Sequence, residues 1–431
     1  MNTFPGHIVK GMVLVFVTGF GCIFCHREKP SEVKGRLETR SGQTILTVWG
    51  SHYDMGYAQG YLLGNDFLEL FDEYFLDDIC YSEDYEIKTR PHVIENCIDP
   101  NLTPYGEELQ GLYDGWRQVS EDSGWSTVST VLGRSLDIID LYAVQFIPDL
   151  AFEFYSSQMC SSISAWGGAT ESDPDAAGGV IYCRILDWDP DDALIENSVI
   201  VVYNPEGEIG WVSFGYPFFI GCLTGVSQDG VCASYNLEQR HHETAEEAEK
   251  FWPVLWSIRR GLESDCNSDG SHTADDIYTE ISAHRHKGAH IIHCAQPYLQ
   301  KQDKPAFVIE TNSTGRTLRY SDDEPDIAPH HLIATNHFRS LYAPSNCSRY
   351  SELLAELTND PEVTTERAWA LEDSVMTPWS VMKVLIRPDN LDFWLAWGDE
   401  IAQSLDNAVY YELDALLDTS STSLDKGEYY D

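Results

Sequence analysis

The chain has 431 residues, with 70 Asp and Glu against 27 Lys and Arg, so its formal net charge at pH 7 is −43. This excess of negative charge repels phosphate groups, which excludes nucleic acid and anionic membrane surfaces as partners. The apolar share of 43% and the aromatic share of 12% exclude wholesale disorder. The length predicts two or three domains. The scarcity of lysine is typical of secreted proteins or of proteins that work in high salt.

The first segment, residues 1–30, carries a targeting signal. Lys10 precedes an apolar run from Gly11 to Cys22, which has the length of the hydrophobic core of a signal peptide and is shorter than a usual transmembrane helix. The run predicts export, to the outside, to a periplasm or to a lysosome-like compartment. Two alternatives stay open, a lipid anchor on Cys22 and a retained membrane anchor, and either would be the protein's connection to a membrane.

A strand and a helix follow the targeting segment. A polar linker is predicted at 27–42, and 44–50 is predicted to be the first strand. Ser51 has the position and chemistry of an N-cap for a helix. Gly56 and Gly60 lie one turn apart in that helix, which indicates close packing against a second helix rather than a catalytic role.

The apolar periodicity changes from helix-like to strand-like at Cys160. Before it, helical patterns make 31–159 a mostly helical N-terminal region. After it, 160–418 alternates runs of strands with helices, and 419–431 is predicted to be a disordered acidic tail. The strands are predicted at 160–166, 179–187, 197–204, 209–214, 218–224, 230–235, 288–294, 305–310, 316–320, 330–335, 381–386 and 391–396, and the helices at 104–118, 136–152, 245–262, 273–284 and 348–358. This order predicts an α+β protein of stacked layers.

An acidic loop lies between two of these helices. Asp265, Asn267, Asp269 and Asp276 occupy loop positions 1, 3, 5 and 12, and Gly270 occupies position 6, as calcium ligands and the turn glycine do in an EF-hand. The loop predicts a structural calcium ion with no part in catalysis. The alternative is an acidic connection between helices without an ion.

The cysteines supply a candidate nucleophile. Of the eleven, two lie in the targeting segment, and the remaining nine are an odd number, so an exported chain would keep at least one unpaired thiol. Pairs such as Cys80 with Cys97 are plausible disulfides that the spacing does not determine. Cys160 stands at the head of a strand, where a nucleophile would be expected.

A nucleophilic cysteine needs a base and a group that stabilises the oxyanion. No histidine stands in an obvious partnering context for Cys160, and no papain-like motif surrounds it. Cleavage of the Met159–Cys160 bond would place an α-amine on the nucleophile itself, with a pKa of about 8 that suits proton transfer at neutral pH. Cys160 is therefore predicted to be a self-generated N-terminus.

Five segments carry a family resemblance. They are the helix motif at 50–60, Cys160-Ser161-Ser162, Arg184-Ile185-Leu186-Asp187-Trp188, the strand pair at 225–237, and Thr335-Asn336-His337-Phe338 with Arg349 thirteen residues after Asn336. In this order they resemble the N-terminal nucleophile (Ntn) hydrolases of the isopenicillin N acyltransferase type. Acid ceramidase, N-acylethanolamine amidase, the choloylglycine (bile salt) hydrolases and penicillin V acylase are more distant relatives. The chain departs from the family at Ile185, where an Asn is usual.

The resemblance implies a four-layer αββα sandwich and a role for each matching residue. Cys160 would supply the thiolate and the α-amine, and Asp187 would orient the ammonium group. Arg184 would lower the pKa of the thiol by its charge, and Arg349 would hold the site together or contact the substrate. Asn236 and Asn336 would donate hydrogen bonds to the oxyanion. His337 is expected to be structural, and no cofactor is implied for catalysis.

The predicted function is an autoproteolytically matured amidase or acyltransferase. Its substrate would be a linear or small-molecule acyl amide outside a peptide chain, cleaved through a thioester on Cys160. Two alternatives stay open, an exported pseudoenzyme or binding protein with a calcium loop and a phospholipase-like esterase of the same superfold. The acidic insert at 170–177 must fold aside for the site to close. A set of aromatic residues could line an acyl pocket or pack the core: Trp166, Trp211, Tyr216, Phe218 and Phe219.

Overall fold

The computed structural model describes residues 30–96, 104–154, 160–241, 250–298, 304–324, 326–402 and 404–418. The apolar run of the targeting segment, Cys97, Met159 and the acidic tail lie outside these ranges. The described residues from Val33 onward form one compact unit. The predicted domain boundary at Cys160 lies inside this unit and stays a prediction.

The strands, numbered in chain order, are β1 (Gly35–Arg40), β2 (Gln43–Gly50), β3 (Val128–Ser129), β4 (Arg134–Ser135), β5 (Ser161–Ala165), β6 (Ile181–Asp187), β7 (Val199–Pro205), β8 (Trp211–Gly215), β9 (Thr224–Ser227), β10 (Cys232–Leu237), β11 (Ala289–Ala295), β12 (Ala306–Asn312), β13 (Arg316–Arg319), β14 (His331–Ala334), β15 (Ser380–Arg387), β16 (Asp392–Trp397) and β17 (Val409–Glu412). A nine-stranded sheet has the order β1-β2-β7-β8-β9-β10-β11-β12-β13, and a six-stranded sheet has the order β14-β5-β6-β15-β16-β17. Neighbouring strands are antiparallel in both sheets, except that β2 and β7 are parallel.

The helices are α1 (His52–Leu62), α2 (Gly64–Glu69), α3 (Ser82–Asp84), α4 (Arg90–Asn96), α5 (Pro104–Ser123), α6 (Ile138–Gln145), α7 (Ile147–Phe154), α8 (Asp192–Glu196), α9 (Val254–Glu263), α10 (Ala274–Ala283), α11 (Ser348–Asn359), α12 (Thr365–Ser374) and α13 (Leu413–Leu417). Two further segments, Leu70–Ile79 and Tyr85–Thr89, are π-helical, and short 3₁₀ turns lie at Gly167–Ala169, Ser321–Asp323, Gly398–Ala402 and Leu405–Asn407. The Ser51 side chain caps α1 as predicted, because it accepts the backbone N–H of Asp54.

The two sheets face each other between layers of helices. In β8, Phe214 packs on Phe393 of the smaller sheet, whereas Trp211, on the opposite face, lies under Arg259 of α9. The face of the smaller sheet that carries Cys183 packs against α11 and α12, with Trp369 of α12 in the same apolar cluster. The order is therefore helices, sheet, sheet, helices, which confirms the predicted four-layer αββα sandwich.

The glycines of α1 allow it to lie directly against α5. A Cβ atom on Gly56 would lie 1.9 Å from the carbonyl oxygen of Glu108, and one on Gly60 would lie 2.0 Å from that of Leu112. Any larger side chain would push the helices apart, so the predicted packing role of these glycines is confirmed.

The observed elements differ from the predicted ones in several places. Residues 35–40, predicted to be linker, form β1, an edge strand whose polar side chains lack apolar alternation. The strand predicted at 218–224 is a loop up to Thr224, because Phe218 has a positive φ of 66° that a strand cannot contain. The helix α12 was not predicted.

Candidate active site

Cys160 lies directly before β5 and is 3% exposed. Its backbone N–H donates to Oδ1 of Asn336 at 2.6 Å. Nη2 of Arg184 lies 3.6 Å from its sulfur, within hydrogen-bonding distance. The pairing of Ser162 with Arg184 across β5 and β6 places this guanidinium beside the start of β5. The structure therefore brings together three of the residues selected from the sequence.

Arg184 is fully buried between the two sheets. Its Nη2 also donates to the carbonyl oxygen of Tyr235 at 2.7 Å, whereas its Nε and Nη1 have no hydrogen-bond partner among the described residues. A buried cation with unused donors strongly stabilises an anion placed beside it, because little water screens the charge. The sulfur of Cys160 is the nearest candidate for that anion.

Burial dominates the titration of the Cys160 thiol. It raises the pKa of Cys160, the charge of Arg184 lowers it in part, Asp187 raises it further and Arg349 lowers it. The net shift of the pKa is upward, although the charge of Arg184 acts in the predicted, lowering direction. Its physical reason is the loss of water around the sulfur, which outweighs one neighbouring charge.

Asp187 ends β6 and anchors a chain of polar groups. Its Oδ1 accepts a hydrogen bond from Ser380 Oγ at 2.5 Å, and its Oδ2 forms an ion pair of 2.7 Å with Nη1 of Arg349. Nη2 of Arg349 donates to Ser161 Oγ at 2.8 Å, and Ser161 donates in turn to Glu372. Burial raises the pKa of Asp187 to about 6, against the lowering effects of Arg349 and Ser380.

Glu372 of α12 is a second buried carboxyl group beside the site, and sequence reasoning missed it. It is fully buried, its Oε1 has no partner among the described residues, and burial raises its pKa to about 7. A usable signal was present, since Glu372 continues the apolar face of Ala368, Leu371 and Val375 at helical spacing.

The two asparagines are placed differently. Asn336 uses both ends of its amide, accepting from the Cys160 N–H and donating from Nδ2 to the carbonyl oxygen of Leu237 at 2.7 Å. Asn236 makes only a 3.5 Å contact from Nδ2 to the Thr335 carbonyl oxygen, and its Oδ1 has no described partner. Asn236 is therefore the freer donor, whereas Asn336 holds the backbone of Cys160. Their predicted oxyanion roles stay predictions.

Two adjoining cavities lie beside Cys160. The first has about 290 Å³ of empty space, part of it open to solvent, and is lined by Ile147, Pro148, Cys160, Leu186, Asp187, Trp188, Leu223, Tyr235 and Leu237. The second has about 430 Å³ of empty space, part of it open to solvent. It shares Ile147 and Trp188 with the first and is otherwise lined by Phe67, Leu70, Phe71, Tyr74, Phe75, Val144, Leu194, Tyr216, Pro217 and Phe219. Of the candidate pocket aromatics, Tyr216 and Phe219 line it, whereas Trp166, Trp211 and Phe218 pack elsewhere in the core.

The acidic insert between β5 and β6 folds away from Cys160. Asp173 accepts the backbone N–H of Ala176 at 2.8 Å and, through its other oxygen, the N–H and hydroxyl of Thr365, each at 2.7 Å. These bonds fasten the insert to the first turn of α12. None of the residues 170–177 lines either cavity.

The predicted calcium loop is held by hydrogen bonds of its own. Asp265 accepts the N–H of Gly270 at 2.9 Å, Asn267 accepts that of Asp269 at 2.8 Å, and Asp276 caps α10 by accepting the N–H of Thr273. The spacing of these side chains is thereby explained as a turn and a helix cap. Calcium binding at this loop stays a prediction.

One group in the described part of the chain has three potential metal-ligating atoms within 4.8 Å of one another, from His52, Glu208 and Glu263. Glu263 pairs with Arg259 at 3.1 Å, and Glu208 pairs with Arg260 at 2.5 Å. Because two guanidinium groups already neutralise these carboxylates, the group is better described as an ion-pair network than as a metal site.

No family model matches the chain. The chain is 28% identical over 212 residues to protein dcd1B of Dictyostelium discoideum, which covers 46% of this chain and 40% of that protein. It is 25% identical over 221 residues to protein dcd1A of the same organism, covering 44% of each. The chain thus spans less than half the length of these two relatives.

Two similar solved structures are an N-acylethanolamine-hydrolyzing acid amidase ortholog of Caenorhabditis elegans and penicillin V acylase of Agrobacterium tumefaciens. The first is 17% identical with a TM-score of 0.40, covering 57% of this chain and 98% of that one. The second is 11% identical with a TM-score of 0.37, covering 56% of this chain and 83% of that one.

Among the helices that the structure describes, none is both long and apolar enough to cross a membrane.

Proposed function

We propose that the protein is an Ntn amidohydrolase that cleaves a small-molecule amide through a thioester on Cys160. The strongest support is that the selected residues, distant in sequence, lie together in the folded chain. Cys160, Arg184, Asp187, Asn336 and Arg349 come from four segments of the chain and meet in one buried cluster beside an apolar cavity. Perturbed titratable groups gathered at a cavity are characteristic of catalytic sites.

Maturation is the first step of the proposed chemistry. The Cys160 sulfur attacks the carbonyl carbon of residue 159, the C–N bond breaks, and the nitrogen becomes the α-amine of Cys160. Water then hydrolyses the resulting thioester and leaves Cys160 as a free N-terminus. Arg184, which lies 3.6 Å from the sulfur, stabilises the thiolate as it forms.

The new α-amine then acts as the base. It takes the thiol proton, and the sulfur attacks the amide carbon of the substrate. Asn336, which already holds the Cys160 nitrogen at 2.6 Å, keeps the amine in place, and Asp187 balances its charge once it is protonated. The ammonium group returns the proton to the leaving amine, and the acyl group stays on sulfur as a thioester.

The second half of the reaction releases the acyl group. Water attacks the thioester in a hydrolase, or a second amine attacks it in an acyltransferase. In both halves the oxyanion needs N–H donors, and Asn236 Nδ2 is the available one because its only described contact is long, at 3.5 Å.

The cavities suggest the substrate class. The 430 Å³ cavity meets the Cys160 cavity at Ile147 and Trp188 and is lined almost wholly by apolar and aromatic side chains. An acyl chain placed there would bury its hydrocarbon surface at about 25 cal/mol per Å². We infer that the acyl part of the amide is apolar.

A panel of N-acyl amides of increasing chain length, with matched esters, tests the proposed function. Amine release by the cleaved protein should rise with acyl apolarity and disappear in Cys160→Ala, whereas Cys266→Ala, a matched control at a distant thiol, should retain it. A cleaved chain that hydrolyses neither amides nor esters would support the pseudoenzyme alternative. Turnover of esters alone would support the esterase alternative.

A further inference from the structure

A chain of polar groups connects Asp187 with Glu372 and passes through the residue that follows Cys160. Nη1 of Arg349 pairs with Asp187 Oδ2 at 2.7 Å, and Nη2 of the same guanidinium donates to Ser161 Oγ at 2.8 Å. The Ser161 hydroxyl donates in turn to Oε2 of Glu372. The members come from β6, α11, β5 and α12, so the chain of polar groups joins the smaller sheet to the helices that pack on it.

Chemistry fixes the directions of these hydrogen bonds. A guanidinium group only donates, so the Ser161 oxygen accepts from Arg349 and the single Ser161 proton goes to Glu372. Both side chains at this end, Ser161 and Glu372, are fully buried. Because water does not replace a lost partner there, removing the carboxyl group would leave the Ser161 hydroxyl unpaired and free to turn away from Arg349. Glu372 therefore holds Ser161, and Ser161 helps to hold the guanidinium that pairs with Asp187.

Packing alone does not account for a carboxyl group at this place on α12. The neighbours of Glu372 on the same helical face, Ala368, Leu371 and Val375, belong to an apolar cluster. Oε1 of Glu372 has no hydrogen-bond partner among the described residues. A buried carboxyl oxygen without a partner costs free energy that an apolar side chain would not. A perturbed acid of this kind beside a reactive cluster is characteristic of a functional site.

Ionisable groups from α11, β6, β15 and α12 itself lie near the carboxyl group of Glu372: Arg349, Asp187, Cys183, Lys383 and Asp373. Burial raises the pKa of Glu372 and the charge of Asp187 raises it further, whereas Arg349 and Lys383 lower it. The result is a pKa of about 7. Glu372 therefore changes its charge close to neutral pH.

We propose that Glu372 is a positioning residue of the amidase, which acts on Cys160 through the chain of polar groups that ends at Asp187. This inference rests on the proposed function, in which Asp187 balances the charge of the Cys160 ammonium group. When Glu372 is protonated, Arg349 neutralises Asp187 alone. When Glu372 ionises, a second negative charge shares the guanidinium, and Asp187 is less completely neutralised. The protonated forms of the Cys160 amine and thiol are then favoured.

The size of the effect follows from the charge. A unit charge roughly 10 Å away in a poorly screened interior changes the equilibrium constant of a proton loss by about threefold. Glu372→Gln removes this charge, while its amide oxygen still accepts the Ser161 proton. The substitution should therefore increase the thiolate fraction of Cys160 at pH 8, where most of the wild-type Glu372 is ionised.

Iodoacetamide labelling of Cys160 at pH 8, without substrate and read by peptide mass spectrometry, tests the charge effect. Cys160 should label about two- to threefold faster in Glu372→Gln than in the wild type, since the rate follows the thiolate fraction. Glu366→Gln is the matched control, because Glu366 is exposed on the same helix, and it should label at the wild-type rate. Equal rates in all three proteins would overturn the proposal. Labelling needs no turnover, so this result does not depend on the proposed function.

Kinetics on an N-acyl amide separate positioning from a merely structural role. Glu372→Leu removes the acceptor of the Ser161 proton, so kcat should fall about tenfold, the loss expected for one buried hydrogen bond. KM should stay unchanged, because Glu372 lines neither cavity. Glu372→Gln should recover most of the kcat, with the acidic limb of its kcat/KM profile moved to lower pH.

A Glu372→Leu protein with wild-type kcat, or a loss that Glu372→Gln does not recover, would contradict the positioning role. A wild-type protein that labels as expected and turns over no amide would refute the proposed function instead. The charge effect of Glu372 on Cys160 would then stand by itself.

Discussion

Glu372→Gln tests the chain of buried polar groups that runs from Asp187 to Glu372 beside β5. Glu372 is fully buried, its Oε2 accepts the Ser161 hydroxyl, and burial raises its pKa from 4.5 to about 7. A carboxyl group whose pKa is higher in the folded than in the unfolded chain adds to the free energy of unfolding, and this contribution is complete at pH values below the pKa of the unfolded chain. That contribution is lost as pH rises through the folded value. Between pH 4.5 and pH 7 the ionisation of Glu372 should therefore cost about 3 kcal/mol of unfolding free energy.

The measurement is the free energy of unfolding in urea, taken at intervals from pH 4.5 to 8. The wild-type protein should lose about 3 kcal/mol more over this range than Glu372→Gln, whose amide keeps the shape and the Ser161 bond but does not ionise. Glu366→Gln is the matched control, because Glu366 is exposed on the same helix. If the wild type and Glu372→Gln show the same pH dependence, Glu372 is already ionised at pH 5 and the reasoning from burial is refuted.

Two further substitutions test other parts of the account. Asn336→Leu leaves the Cys160 N–H and the Leu237 carbonyl oxygen unpaired in the interior, so urea unfolding should show a loss of about 2–5 kcal/mol, and an unchanged stability would contradict the role given to Asn336. Burial lowers the pKa of His52, but the hydrogen bonds to Glu108 and Glu208 outweigh burial and raise this pKa to about 9. The protonated His52 should therefore contribute about 3 kcal/mol to the free energy of unfolding. This contribution is complete below pH 6.5 and is lost as the pH rises through 9. His52→Gln should abolish that loss, and an unchanged slope between pH 6.5 and 9 would count against the charged imidazole.

The residues gathered around Cys160 were selected through the family resemblance, whose segments follow one another along the chain. Arg184 and Asp187 share one strand at a spacing of three, and Asn336 and Arg349 follow at fixed positions around a strand end and a helix start. Strand register alone then brings Arg184 to the start of β5.

What could not be predicted depends on contacts between elements. The upward shift of the Cys160 pKa depends on how completely the two sheets exclude water from the sulfur. A local sequence pattern does not indicate this. The strand β1 was missed because an edge strand without apolar alternation has the composition of a linker.

The role of the acidic insert was also settled by a tertiary contact. From the sequence, residues 170–177 had to fold aside for Cys160 and Arg184 to lie close together. In the structure, Asp173 accepts two hydrogen bonds from Thr365, so the insert is fixed to α12 and β5 pairs directly with β6. A carboxylate that caps a distant helix leaves no trace in local periodicity.

The intact mass and N-terminal residue of the purified protein test the central claim most directly. The proposed function predicts a fragment that begins at Cys160, together with a separate N-terminal fragment that ends at Met159. Cys160→Ala should remain a single chain across this bond, and the Cys266→Ala control should be cleaved like the wild type. A wild-type protein whose Met159–Cys160 bond stays intact would contradict the account, because the α-amine proposed as the catalytic base would not exist.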